Sequence, residues 1–248
     1  MNGLQEFLDR LERLPQEREL VAWLPLDPDD VHLLAATATG DLPTGVWGRV
    51  ASVRLLGHAG GAVAGAALAR ILGESEDPDD RLAAEALLAV EAVGPQALEP
   101  LLKVLRLTPP GRELSVEAAL KLISEFQAPP DALRALRIHL ENRFRHARHV
   151  GDRILFAGYL GDLGDPAALG TLLEAVSSPH LDSREYESVR EAVERLGEEC
   201  PAVYFDAEAH PYPVDDEGFL RCSVCGATLH LHPETGRPVH KDGSPGRH

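Results

Sequence analysis

The chain has 248 residues, 44% hydrophobic and 26% charged but only 5% aromatic, so its core must be built from aliphatic residues, and Ala and Leu are the strongest helix formers. A formal net charge of -16 sets it against nucleic acid and anionic membranes except through a local basic patch. No stretch approaches the roughly 18 consecutive apolar residues of a membrane span, and Met1-Asn2-Gly3-Leu4-Gln5-Glu6 lacks the basic start of a signal peptide, so a cytoplasmic location is expected.

In chain order, Leu4, Phe7, Leu8, Leu11 and Leu14 recur at helical spacing and Pro15 follows, which predicts a helix over 4–14. Pro25 and Pro28 precede a short helix over 31–38. Further helices are predicted over 46–56, 81–93, 115–126, 154–163 and 183–196. Between them runs an internal repeat. Leu98, Leu101, Leu102 and Leu105 form an i, i+3, i+4, i+7 stripe. The stripe returns as Ala64, Ala67, Leu68 and Ile71, as Leu133, Leu136, Arg137 and Leu140, and as Leu169, Leu172, Leu173 and Val176. Gly60-Gly61, Gly94-Pro95, Pro129-Pro130 and Gly164-Asp165-Pro166 punctuate the turns. Asp165 before Pro166 reads as an N-cap ahead of a first-turn proline, and Ser115 and Ser183 are further N-cap candidates. The Gly-rich run 57–65 has the Ala spacing of close helix packing rather than of a phosphate loop.

A period in the mid-thirties suits several repeat families, but the ankyrin Thr-Pro-Leu-His and the tetratricopeptide Trp/Tyr pattern are absent. The run Asp77-Pro78-Asp79-Asp80-Arg81-Leu82-Ala83-Ala84-Glu85-Ala86-Leu87, followed by Val93-Gly94-Pro95-Gln96-Ala97-Leu98-Glu99-Pro100-Leu101-Leu102, resembles one unit of the short HEAT-like repeats of bacterial proteins. These include the phycobilin-lyase-type subfamily, whose usual Val-Arg opening is only approximated by Asp80-Arg81-Leu82. The resemblance covers roughly residues 44–198. It implies an all-α, HEAT-like α-α superhelical solenoid whose concave surface binds a protein partner, a scaffold rather than an enzyme. A lyase-type enzyme or enzyme subunit is the alternative. The Arg-, Ala- and Gly-rich composition, with Lys only at 103, 121 and 241, reads as a bacterial coding habit.

The helical pattern stops near residue 198. Residues 199–218 read as an acidic, Pro-containing linker, held to the helices by Tyr204, Phe205 and Tyr212. Residues 219–248 form a tail around Cys222-Ser223-Val224-Cys225-Gly226. Two thiolates three residues apart reach one ion from a tight turn, and the glycine permits the turn. Residues 228–232 alternate as a strand, 233–236 have turn composition and 237–240 return, so His240 is expected as the third ligand. The whole resembles half of a zinc ribbon, a small zinc-knuckle β-hairpin without a second cysteine pair. His232 is preferred as the fourth ligand, with His230, His248 and His210 open. Cys222, Cys225 and His230 also match three ligands of a retroviral-type knuckle, whose fourth would fall on Thr235. Structural zinc is expected over thioredoxin-like redox chemistry, which would need the motif to open a helix. Cys200 reads as a small hydrophobe.

A second constellation is basic: Arg134, Arg137, Arg145 and Arg148 fall roughly on one side of a long helix, with Arg143, Arg153, His139, His146 and His149 close in sequence. Arg137 stands in a slot that is apolar in the other repeats. Pairing with acidic neighbours is one reading and an anionic partner the other.

Overall fold

The computed structural model describes residues 2–12, 26–75, 80–107, 113–126, 128–178, 180–205, 211–222, 225–233, 235–241 and 245. It is mostly helical, with small antiparallel pairings near the C-terminus. The helices are α1 (Asn2–Glu12), α2 (Pro28–Ala38), α3 (Val46–Ala59), α4 (Gly61–Glu74), α5 (Arg81–Val93), α6 (Leu98–Leu107), α7 (Glu113–Phe126), α8 (Pro130–His146), α9 (Val150–Leu163), α10 (Leu169–Val176) and α11 (Ser183–Arg195). Among the described residues no helix is long and apolar enough to cross a membrane. The chain divides into two compact units, Met1–Leu136 and Arg137–His248, and the division falls within α8.

In the first unit α2 packs on α3 and α4, α3 on α4 and α5, α4 on α5 and α6, and α7 on α5 and α6. The stripes read from the sequence are what this packing buries. Ala64, Ala67, Leu68 and Ile71 of α4, and Leu98, Leu101, Leu102 and Leu105 of α6, are all buried. The Gly-rich run lets helices approach closely. A Cβ on Gly57 would stand 3.0 Å from the Ala89 Cβ of α5, and one on Gly65 would stand 2.9 Å from the Ala97 Cα.

Helix starts follow local chemistry. Asp27 accepts the Asp30 N–H at 2.8 Å with Pro28 in the first turn, and Asp80 accepts the Leu82 N–H at 2.9 Å. The start of α3 has no cap of its own. The Glu12 carboxylate at the end of α1 accepts the Gly45 N–H and the Thr44 hydroxyl instead. Two expected caps fail. Ser115 lies inside α7, fully buried, with no partner for its hydroxyl among the described residues. Asp182, not Ser183, caps α11, accepting the Arg184 N–H at 2.9 Å. The carboxylate, one residue earlier, is placed to reach that donor.

In the second unit α11 packs on α9 and α10. A Cβ on Gly161 of α9 would stand 2.9 Å from the Ala192 Cα of α11. Gly164 ends α9 in the left-handed region (φ 69°), which a residue with a Cβ adopts at a cost. Asp165 then accepts the Ala167 N–H at 3.1 Å, the expected cap before Pro166.

The segment expected to be a linker carries paired strands. β1 (Val203–Phe205) pairs antiparallel with β2 (Pro211–Pro213), in register Val203↔Pro213, Tyr204↔Tyr212 and Phe205↔Pro211. Val214 then bridges Leu220, and Arg221 bridges Thr228. β3 (His230–Leu231) pairs with β4 (Pro238–Val239), and Val239 bridges Pro245. Each short stretch thus pairs with the one before it, and all the pairings are antiparallel.

Candidate metal centre

Three features gather the tail ligands. Around the cysteines, the Gly226 N–H donates to the Cys222 carbonyl at 2.8 Å and the Cys222 N–H to the Ala227 carbonyl at 2.9 Å. Gly226 sits at φ 69°, so the chain reverses tightly enough to bring Cys225 back toward Cys222. The β3–β4 hairpin is closed by the His232 N–H on the Arg237 carbonyl and the Gly236 N–H on the His232 carbonyl, both at 2.8 Å. It returns the chain so that His240, one residue past β4, faces the knuckle.

The result is a convergent group. The Sγ atoms of Cys222 and Cys225 and a ring nitrogen of His240 all lie within 4.8 Å of one another. Two sulfurs and one imidazole at that spacing could hold a metal ion. Cys222 is 2% exposed and sits in a small core with Tyr212 and Leu229, against which Tyr204 and Leu220 pack. Cys225 is exposed and His240 half-buried. One ligand is thus fixed by packing while another meets solvent.

His232 does not join this group: its Nδ1 lies 3.4 Å from the Thr235 N–H, which donates to it across the hairpin turn. His230 is exposed on β3 and is also outside the group. His210 and His248 lie outside the described residues. Cys200 is a partly buried free thiol whose pKa is pushed up by burial, which disfavours the thiolate a metal or a nucleophilic role needs.

Several cations of the basic constellation are engaged within the second unit. Arg137, the polar residue in an apolar slot, is half-buried. Its Nε donates to Asp165 and its Nη1 to Glu141, each at 2.8 Å. The same Asp165 caps the following turn, so the arginine ties the α8 stripe to the α9–α10 connection. Arg145 donates to the Thr171 hydroxyl of α10 at 2.6 Å and lies 3.8 Å from Glu174. Arg143 stacks over Phe156, and Arg153 over Phe144 while pairing at 2.6 Å with Glu185. Glu185 is 1% exposed, and burial raises its pKa against the pull of Arg153. Burial, with Arg143 beside it, pushes the His139 imidazole down to about 4. Arg134 and Arg148 are exposed and have no ion pair among the described residues.

Of the three aromatics expected to hold this segment to the helices, Phe205 does so, whereas Tyr204 and Tyr212 pack in the tail's own core. The Phe205 ring lies 5.6 Å from the Tyr186 ring of α11, and the Tyr186 hydroxyl donates to the Pro201 carbonyl at 3.1 Å. Val203, Tyr204 and Phe205 are residue types that favour strands, but three residues are too few to read a period. No family model matches the chain, and no curated protein matches it.

Proposed function

We propose that this chain is a non-catalytic, HEAT-like helical-repeat scaffold that binds a protein partner, with a zinc ion stapling its C-terminal tail. The observation behind the scaffold reading is the packing of α2 to α7, in which each helix from α2 to α5 lies against the helix two along from it. Stacked helix pairs that share one core pack in that way. The buried stripes of α4 and α6 recur at the repeat spacing, which supports the same reading. Trp47 of α3 and Leu88 of α5 are 55% and 62% exposed, and Leu88 lines a cavity of about 310 Å³ that also includes Gly57 and Ala89. Arg81 of α5 lies 4.3 Å over the Trp47 ring and stands two turns before Leu88 on the same helix, so both apolar groups border one side of α5, and exposed apolar groups there favour a partner on that face. Thiolates and imidazole suit zinc, and a small tail with few apolar residues gains folding free energy from it. The cytoplasmic location belongs to this proposal.

The test is affinity capture by the full zinc-loaded chain from its native cell, with metal content measured on the same sample. A partner bound through this face is lost with the double variant Trp47→Ala, Leu88→Ala, whose melting temperature stays near wild type. Undiminished capture by that variant rejects the face. An anionic partner is the second reading, favoured by Arg148, which is exposed and without an ion pair among the described residues. Salt-sensitive binding of RNA or an acidic peptide that charge reversal at Arg148 weakens would establish it.

A further inference from the structure

The tail's small core and the last helix meet through one strand. β1 runs Val203–Phe205, and successive side chains of a strand leave on opposite faces. Tyr204 packs against the cluster of Tyr212, Leu229 and the buried ligand Cys222. Phe205, the next residue, lies against Tyr186 of α11. A second link runs alongside, because the Tyr186 hydroxyl holds the Pro201 carbonyl two residues before β1. Tyr186 is 8% exposed, so these neighbours are part of what removes it from water. The register Tyr204↔Tyr212 ties β1 to β2, and through Val214, Leu220 and Arg221 the pairings continue to the Cys222 knuckle.

We infer that metal at Cys222, Cys225 and His240 controls the cover on α11: an occupied site holds β1 against Tyr186, and an emptied site releases it. This rests on the metal-centre reading above. The physical reason is that Cys222 serves two roles. Its sulfur is a ligand atom, and its side chain is one of the three buried residues in the tail's core. When the ion leaves, the thiolates repel or take up protons, the knuckle loses its staple, and a core this small has little else to hold it. Tyr204 then loses its packing, and the strand that presents Phe205 loses its pairing. The helix beneath is not itself held by the ion, because α9 and α10 pack on it. The expected response is therefore the uncovering of one helix face rather than unfolding.

The experiment is hydrogen exchange by mass spectrometry on the full chain, zinc-loaded and after chelation, with zinc content measured on each sample. Chelation should speed exchange in the tail and, by roughly tenfold, in the first turns of α11 around Tyr186. The α9 peptides should be unchanged. In Phe205→Ala, zinc should still bind and protect the knuckle, but α11 exchange should no longer respond to it. Phe205→Leu, which keeps an apolar side chain against the ring, should restore part of the response. If zinc binds and protects the tail while α11 exchanges alike in both states, the coupling is overturned and the metal centre stands. Absence of zinc uptake overturns both, and the metal measurement tells the two failures apart.

Discussion

Gly158 and Gly161 lie one turn apart in α9, and replacing each by alanine should change stability in opposite directions. In a helix interior, Gly→Ala gains up to about 1 kcal/mol by removing backbone freedom from the unfolded chain. At Gly158 nothing stands within 4 Å of the added Cβ, so this gain should appear almost whole. At Gly161 the new Cβ would meet the Ala192 Cα at 2.9 Å and the Ala192 Cβ at 3.1 Å. One of those atoms is backbone and cannot rotate away, so α9 and α11 must separate. Overpacking of this kind costs about 1–3 kcal/mol, which exceeds the helix gain through most of that range and leaves a net loss of up to about 2 kcal/mol. For a chain of this size each kcal/mol moves the melting temperature by about 2–4 °C. Thermal unfolding followed by circular dichroism should show Gly158→Ala melting higher and Gly161→Ala lower than wild type. The double variant Gly161→Ala, Ala192→Gly should recover only part of the loss, because the new methyl still collides with the backbone at position 192. Stabilisation by Gly161→Ala would show that the two helices do not pack at this distance.

Leu101 is fully buried in α6, so Leu101→Ala should cost about 2–5 kcal/mol, and exposed Glu99→Ala in the same helix less than about 0.5 kcal/mol, by denaturant titration. Equal shifts would reject the stripe. For His139 the folded imidazole titrates near 4 against about 6.5 when unfolded, so the unfolded chain binds the extra proton in that window. Its contribution is therefore full above pH 6.5 and is lost as pH falls toward 4. The loss is bounded by about 3 kcal/mol and reduced to about 1–2 by solvent reaching a partly buried ring. His139→Phe should flatten that part of the stability–pH curve, and an unchanged slope would assign it to other groups. Protein purified without chelator should carry about one zinc per chain by elemental analysis. Chelation or Cys222→Ser should leave the helical signal intact while the chain beyond Val203 becomes protease-sensitive. A metal-free sample with a resistant tail would contradict this.

The helices were legible in the sequence because each leaves a periodic stripe within a dozen residues, and α5 runs Arg81–Val93 as the spacing predicts. The knuckle and the hairpin return were legible too, since Gly226 and the turn at 233–236 are local signals, and they bring in His240. Only the tertiary structure decided the rest. Pairing of Arg137 with Glu141, four residues on, is open to a local reading, but its other partner Asp165 lies 28 residues away, beyond any local pattern. His240 and His232 were both expected as ligands, and the fold gathers His240 with the two cysteines while the His232 ring accepts the Thr235 N–H across the hairpin turn. β1 and β2 are three residues each with prolines in β2, so neither shows a period until the partner strand supplies its hydrogen bonds. Local pattern specifies what one element can do alone. Which groups meet across elements depends on backbone register and on pairings far apart in the chain, and those exist only once the chain is folded.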